Sequence, residues 1–239
     1  MSTRFNAKTV LVAGGTGALG RAVSLAFLEE GAGVTVSYRH QDEFDALIAA
    51  AGTERDRLGG RAVDVTEEHG VSQLIETVLS RAGRLDVLVN AVGGYTGGQK
   101  LWESDAESLE RMLSLNLRSG FTLARAVVPV MLRQGGGAIV NVAARAALVQ
   151  SAGAAAYGAS KAAAWALMNS LAAELKGTGV RVNSILPSII DSEANRRAMP
   201  GADHARWPTP EQLARVILFL SSDDARVIHG AAIPVYGDS

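Results

Sequence analysis

The chain has 239 residues, 48% of them hydrophobic and 5% aromatic, and a net charge of −1: enough apolar material for a large core, and no basic excess of the kind that nucleic-acid binding requires. The absence of cysteine excludes disulfides, thiolate nucleophiles and thiolate metal sites. The polar start Met1–Lys8 lacks the apolar core of a signal peptide and no later run is long enough to span a bilayer, so the expectation is a cytoplasmic protein with no membrane partner.

Strand and helix signals alternate along the chain. Thr9–Ala13 is a short apolar strand ending in glycines, followed by a helix to Glu30. Gly33–Tyr38 precedes a helix over Asp42–Ala51, and Arg61–Val65 precedes one over Glu67–Ala82. Asp86–Asn90 leads into a long helix from Ser104 to Arg133 with an interruption or bend. Ala138–Ala143, Val180–Leu186 and Ala231–Val235 complete the strands, with helices over Ala155–Lys176 and Pro210–Ser221. No repeat or linker divides the chain, so a single domain over residues 1–239 is expected. Short apolar strands alternating with helices predict an α/β, doubly wound Rossmann fold. Its mainly parallel seven-stranded sheet carries helices on both faces and takes ligands at the carboxyl ends of the strands.

Four of those strand ends carry residues suited to a dinucleotide. After the first strand come Gly14, Gly15, Thr16, Gly17, Ala18, Leu19 and Gly20, opening a helix. Glycines there let the backbone turn sharply beside a pyrophosphate, whose charge is favoured at the helix N-terminus. The second strand ends in Tyr38-Arg39, where an NAD-binding chain usually has an acid for the ribose diol. A guanidinium there suits a 2′-phosphate, so NADPH is the expected cofactor, with NADH possible. Asp64-Val65 lies at the third strand end, where a carboxylate suits an adenine amino group. Asn90, Ala91 and Gly93 follow the fourth, where small residues leave room for the cofactor. Taken singly, each of these also fits an ordinary turn.

Tyr157 and Lys161 stand four apart in Tyr157-Gly158-Ala159-Ser160-Lys161 near a helix start, which puts phenol and ammonium on one face. A nearby cation lowers a phenol's pKa towards the range of a general acid or base. Alone, the pair also fits an amphipathic helix surface. The order of the glycine-rich turn, the Asn90 turn, Asn116 in Leu115-Asn116-Leu117, and Tyr157 with Lys161 resembles the short-chain dehydrogenase/reductase family across nearly the whole chain. That resemblance implies Tyr157 as proton donor, Lys161 binding the nicotinamide ribose and tuning Tyr157, and Asn116 holding a proton-relay water. It also places Pro187, Ile190 and Ser192 beside the carboxamide end of the cofactor.

The chain departs from the family at three positions. Ala18 replaces a turn glycine and Ser188 the glycine after the loop proline. At the third, the serine expected thirteen residues before Tyr157 is Ala144, whose methyl neither orients a carbonyl nor stabilises an oxyanion. Losing one such donor costs about two to three orders of magnitude in rate. Ser151 has the wrong offset to replace it, and Arg145 is expected to face outward.

Dihydropteridine reductases, a branch of the family, resemble this pattern: tyrosine and lysine without the serine, acting on a quinonoid substrate. Gly15–Gly20, Val92–Gly98 and Asp191–Pro200 look like their segments, although those enzymes carry an acid where Tyr38-Arg39 stands. The leading expectation is an NADPH-dependent reductase of a small carbonyl or conjugated imine. A quinonoid dihydropteridine reductase-like enzyme is the alternative, and a dinucleotide-binding sensor with little turnover is the alternative of another class. His40, His69, His204 and His229 lack ligand spacing, so no metal is expected. Trp102, Trp165 and Trp207 are expected to pack in the core or loops, and Tyr95 to line the pocket. The family resemblance implies a homodimer or homotetramer, with Ala162, Ala163 and Ala166 offering a small-residue face on the Tyr157 helix.

Overall fold

A computed structural model describes residues 4–239; Met1–Thr3, part of the polar start, lie outside them. Seven strands form one sheet: β1 (Thr9–Ala13), β2 (Gly33–Tyr38), β3 (Leu58–Ala62), β4 (Val87–Asn90), β5 (Gly137–Val142), β6 (Val180–Pro187) and β7 (Ala232–Val235), in spatial order 3-2-1-4-5-6-7. Every pairing is parallel. The helices are α1 (Ala18–Glu29), α2 (Gln41–Ala51), α3 (Glu68–Ala82), α4 (Ala106–Leu113), α5 (Ser119–Gln134), α6 (Ala155–Glu174), α7 (Glu193–Ala198) and α8 (Pro210–Ser221).

The alternation of strand side chains builds two cores. Val10, Val12, Val34, Val36 and Val140 pack beneath α1, α2 and α8, while Leu11, Ala13, Leu88, Ile139 and Val182 pack beneath α3, α5 and α6. Strands buried on both faces explain their near-continuous apolar runs. The strand order reverses between β1 and β4, and a crevice opens there at the carboxyl ends.

Two expectations need correction. The third strand is Leu58–Ala62, not Arg61–Val65. Its Gly59 and Gly60 look like turn residues, yet a side chain at Gly60 would collide with Phe44 and one at Gly59 with Arg81. The chain beyond adds only the Val63 N–H bond to the Tyr38 carbonyl, at 3.0 Å. Trp102 is 79% exposed rather than packed, whereas Trp207 is buried against His204. The expected interruption of the long helix is a single wider, π-helical turn over Ser114–Arg118 between α4 and α5, and it carries Asn116. Such turns recur at functional sites. Among the described residues no helix is long and apolar enough to cross a membrane, and no group of three or more His, Asp or Glu is placed to hold a metal ion.

Candidate active site

The glycine-rich turn sits where β1 and β4 diverge. Gly14 adopts φ +73°, its N–H donates to Ser37 Oγ at 2.9 Å, and a Cβ on it would stand 3.1 Å from Val92 Cγ2. A side chain at Gly20 would run into the Gly14 carbonyl, so helix and turn touch backbone to backbone. The first turn of α1 has neither a side-chain cap nor an acidic residue, which leaves its N–H groups for an anion. Thr16 is turned aside, its hydroxyl donating to Glu43 at 2.7 Å. Leu19 is buried in the core, so only its backbone belongs to the turn. This cradle fits the pyrophosphate of a dinucleotide.

At the adenosine end, Arg39 donates to Asp64 Oδ2 at 2.9 Å. Burial alone would raise the Asp64 carboxyl, but the Thr66 N–H and hydroxyl and the Arg39 guanidinium together hold it below its ordinary value. Tyr38 lies flat on Phe44, centroids 4.4 Å apart, with its hydroxyl donating to Gln41 at 2.8 Å, so its ring is part of the packing. Val65 points into the core and its carbonyl accepts from Thr122 Oγ1; it does not face the crevice.

The fourth strand's end divides between structure and site. Asn90 is buried and donates to Asn141 Oδ1 at 3.0 Å, which stitches β4 to β5. Ala91 donates to the Ala13 carbonyl at 3.0 Å. Gly93, by contrast, is exposed and faces the site: a Cβ there would stand 2.8 Å from Lys161 Nζ and 3.0 Å from Asn116 Oδ1.

Asn116, on the π-helical turn, grips Gly94 from both sides, accepting from its N–H at 3.0 Å and donating to its carbonyl at 3.1 Å. Its amide also donates to Ser160 Oγ at 2.9 Å, and Ser160 donates to the Tyr157 carbonyl at 2.8 Å. Asn116 thus ties the β4 loop to the helix that bears Tyr157. Ser160 was not among the expected site residues; its place inside the Tyr157–Lys161 motif was the available signal.

Lys161 is buried and donates to the Val142 carbonyl at 3.0 Å; burial pulls its ammonium down to about 8. Tyr157 is half-buried beside Tyr95, ring centroids 5.0 Å apart at 74°. The expectation that Lys161 lowers the phenol is not met by the protein groups. Burial pushes Tyr157 up to about 12, and the neighbouring Tyr95 adds to the rise.

Ala144 is buried where β5 gives way to a short 3₁₀ turn. Arg145 points away as expected, donating to the Ser239 carbonyl at 3.0 Å and lying over the Tyr236 ring. At the end of β6, Pro187 is buried as the last strand residue. Ile190 packs against the core, and Ser192 caps α7 by accepting from the Asn195 N–H. Of the three, Ser192 is committed to that cap rather than turned to a ligand.

Residues 8–202 match the family described as short chain dehydrogenase. The 3-oxoacyl-[acyl-carrier-protein] reductase of Thermotoga maritima is 31% identical over 242 residues, covering 98% of each chain. D-threitol dehydrogenase of Mycolicibacterium smegmatis is 34% identical over 245 residues, covering 98% of this chain and 93% of its own. Among solved structures, ElxO with NADP bound superposes with a TM-score of 0.91 at 25% identity, covering 96% of this chain and 97% of the other.

Proposed function

Because the chain belongs to the short chain dehydrogenase family and is an oxidoreductase, we propose that it is an NADPH-dependent reductase of a small carbonyl or conjugated imine, working as one dinucleotide-binding domain. A reduced nicotinamide dinucleotide supplies the hydride when bound. The observation that carries the reading is the convergence of Lys161 Nζ and Asn116 Oδ1 on the side-chain-free face of Gly93, one turn of α6 from Tyr157.

Tyr157 donates the proton. A phenol held near 12 is fully protonated at neutral pH and still gives its proton readily to the far more basic alkoxide or amide formed by reduction. Lys161 is charged below about 8 and binds the ribose side of the site. Asn116 holds the Gly93–Gly94 wall and the Tyr157 helix in register, the precondition for connecting a relay. The preference for NADPH is supported by Arg39, which stands where an acid would favour NADH, and by the NADP held by the similar ElxO. Exposed apolar side chains, Leu109 on α4, Phe121 on α5, Phe219 on α8 and Val227 beyond it, support assembly into a homodimer or homotetramer.

The buried methyl of Ala144 favours a conjugated acceptor, including a quinonoid dihydropterin, over an ordinary ketone, since a quinonoid needs less oxyanion stabilisation. The test is NADPH and NADH oxidation by the purified protein with a quinonoid dihydropterin, simple ketones, quinones and 3-oxoacyl esters side by side. Rapid turnover of one class with NADPH is expected. Silence across all of them, with NADPH still bound, would replace the enzyme reading with a dinucleotide sensor.

A further inference from the structure

Tyr95 places a second phenol beside Tyr157, ring against ring. It follows directly on Gly94, whose N–H and carbonyl are both fixed by Asn116. Three residues on, the Gly98 N–H donates to the Gly153 carbonyl at 2.8 Å, tying the same loop to the segment that enters α6. Tyr95 is therefore held between two ties that both lead to the element bearing Tyr157. The rings meet edge to face with centroids 5.0 Å apart, and the phenol tip lies over Gly97, where any side chain would strike it. Tyr95 is 66% exposed, and no group among the described residues accepts its O–H.

We propose that Tyr95 is a second catalytic phenol, donating to the substrate's acceptor atom the hydrogen bond that the Ala144 methyl cannot supply. The inference rests on the reductase reading, with Tyr157 as proton donor. As the acceptor carbon takes up hydride from the reduced dinucleotide, the C=O or C=N π pair moves onto the heteroatom. Tyr157 passes its proton to that atom and is left as phenolate; Tyr95 keeps its proton and stabilises the developing charge. Two aromatic rings in place of a small hydroxyl also select the substrate class: planar, conjugated acceptors that lie against the Tyr95 ring.

The test is Tyr95→Phe, which keeps the ring and removes the hydroxyl, compared with Tyr157→Phe and with Tyr95→Phe/Ala144→Ser. Tyr95→Phe is expected to lower kcat about a hundredfold with NADPH affinity, read by fluorescence titration, unchanged. Ala144→Ser in that background restores much of the loss by placing a hydroxyl at the missing position. If the serine prevents folding, Tyr95→His, which keeps a ring and a donor, serves as the rescuing variant. Tyr95→Phe at wild-type rates, or a loss that neither rescue reverses, would overturn the proposal. Should Tyr157→Phe also keep wild-type rates, the reductase reading itself would fall.

Discussion

Gly93 faces Lys161 so closely that a Cβ on it would stand 2.8 Å from the ammonium nitrogen. The glycine is not in the left-handed region, so what it provides is space rather than a special backbone conformation. Gly93→Ala should fold normally, because the position is exposed, yet displace Lys161 and Asn116 by a few tenths of an ångström or more. A misplacement of about 1 Å costs about a hundredfold in turnover, so a fall of up to that size is expected. Steady-state kinetics beside a thermal melt checks it; unchanged kcat would show that the ammonium is not needed where it stands.

Arg39 is bridged to Asp64 at 2.9 Å, with both side chains about half exposed. Exposed pairs of this kind contribute little, so a 2′-phosphate dianion competes easily for the guanidinium. Replacing Arg39 by Leu should raise the KM for NADPH roughly ten- to a hundredfold, the equivalent of one charge-assisted hydrogen bond, and leave that for NADH nearly unchanged. An equal effect on both cofactors would place Arg39 outside the phosphate site.

Lys161 carries a stability cost with a definite pH dependence. Its folded-state value of about 8 lies below the ordinary 10.5, so between those limits the unfolded chain binds more protons than the folded one. Stability therefore rises with pH through that window, and the penalty is fully present below about pH 8. The shift corresponds to roughly 3 kcal/mol, partly offset by the hydrogen bond to Val142. Lys161→Met should accordingly melt several degrees higher than the parent at pH 7, at roughly 2–4 °C per kcal/mol, and lose that advantage near pH 10.5. It should also be inactive. A melting temperature lowered at pH 7 would mean that the buried ammonium is held by more than the Val142 carbonyl.

Much of this was legible in the sequence, and the failures have physical causes. Five strands announced themselves because strands buried on both faces must be apolar throughout, and β7 did so by its apolar run although it is only half-buried. β3 did not, because Gly59 and Gly60 are there to let Phe44 and Arg81 lie across the strand, and closeness of packing leaves no hydrophobic signature. The helix break before α5 was visible, but the grip of Asn116 on Gly94, 22 residues away, depends on tertiary contacts. Local spacing likewise placed Tyr157 and Lys161 on one face and said nothing of how deeply each is buried. For that reason the phenol was expected lowered and is raised. Asn90 stands at the expected strand end and Val65 three residues beyond the observed one, with side chains committed to the sheet and the core instead.

The role of Tyr157 as proton donor of an NADPH-dependent reduction is tested most directly by NADPH oxidation by Tyr157→Phe with the best substrate, alongside NADPH binding. Loss of a general acid costs about 10²–10⁴-fold. Tyr157→Phe should show a fall in kcat of that size with the NADPH dissociation constant essentially unchanged. Turnover within a few fold of the parent would contradict it.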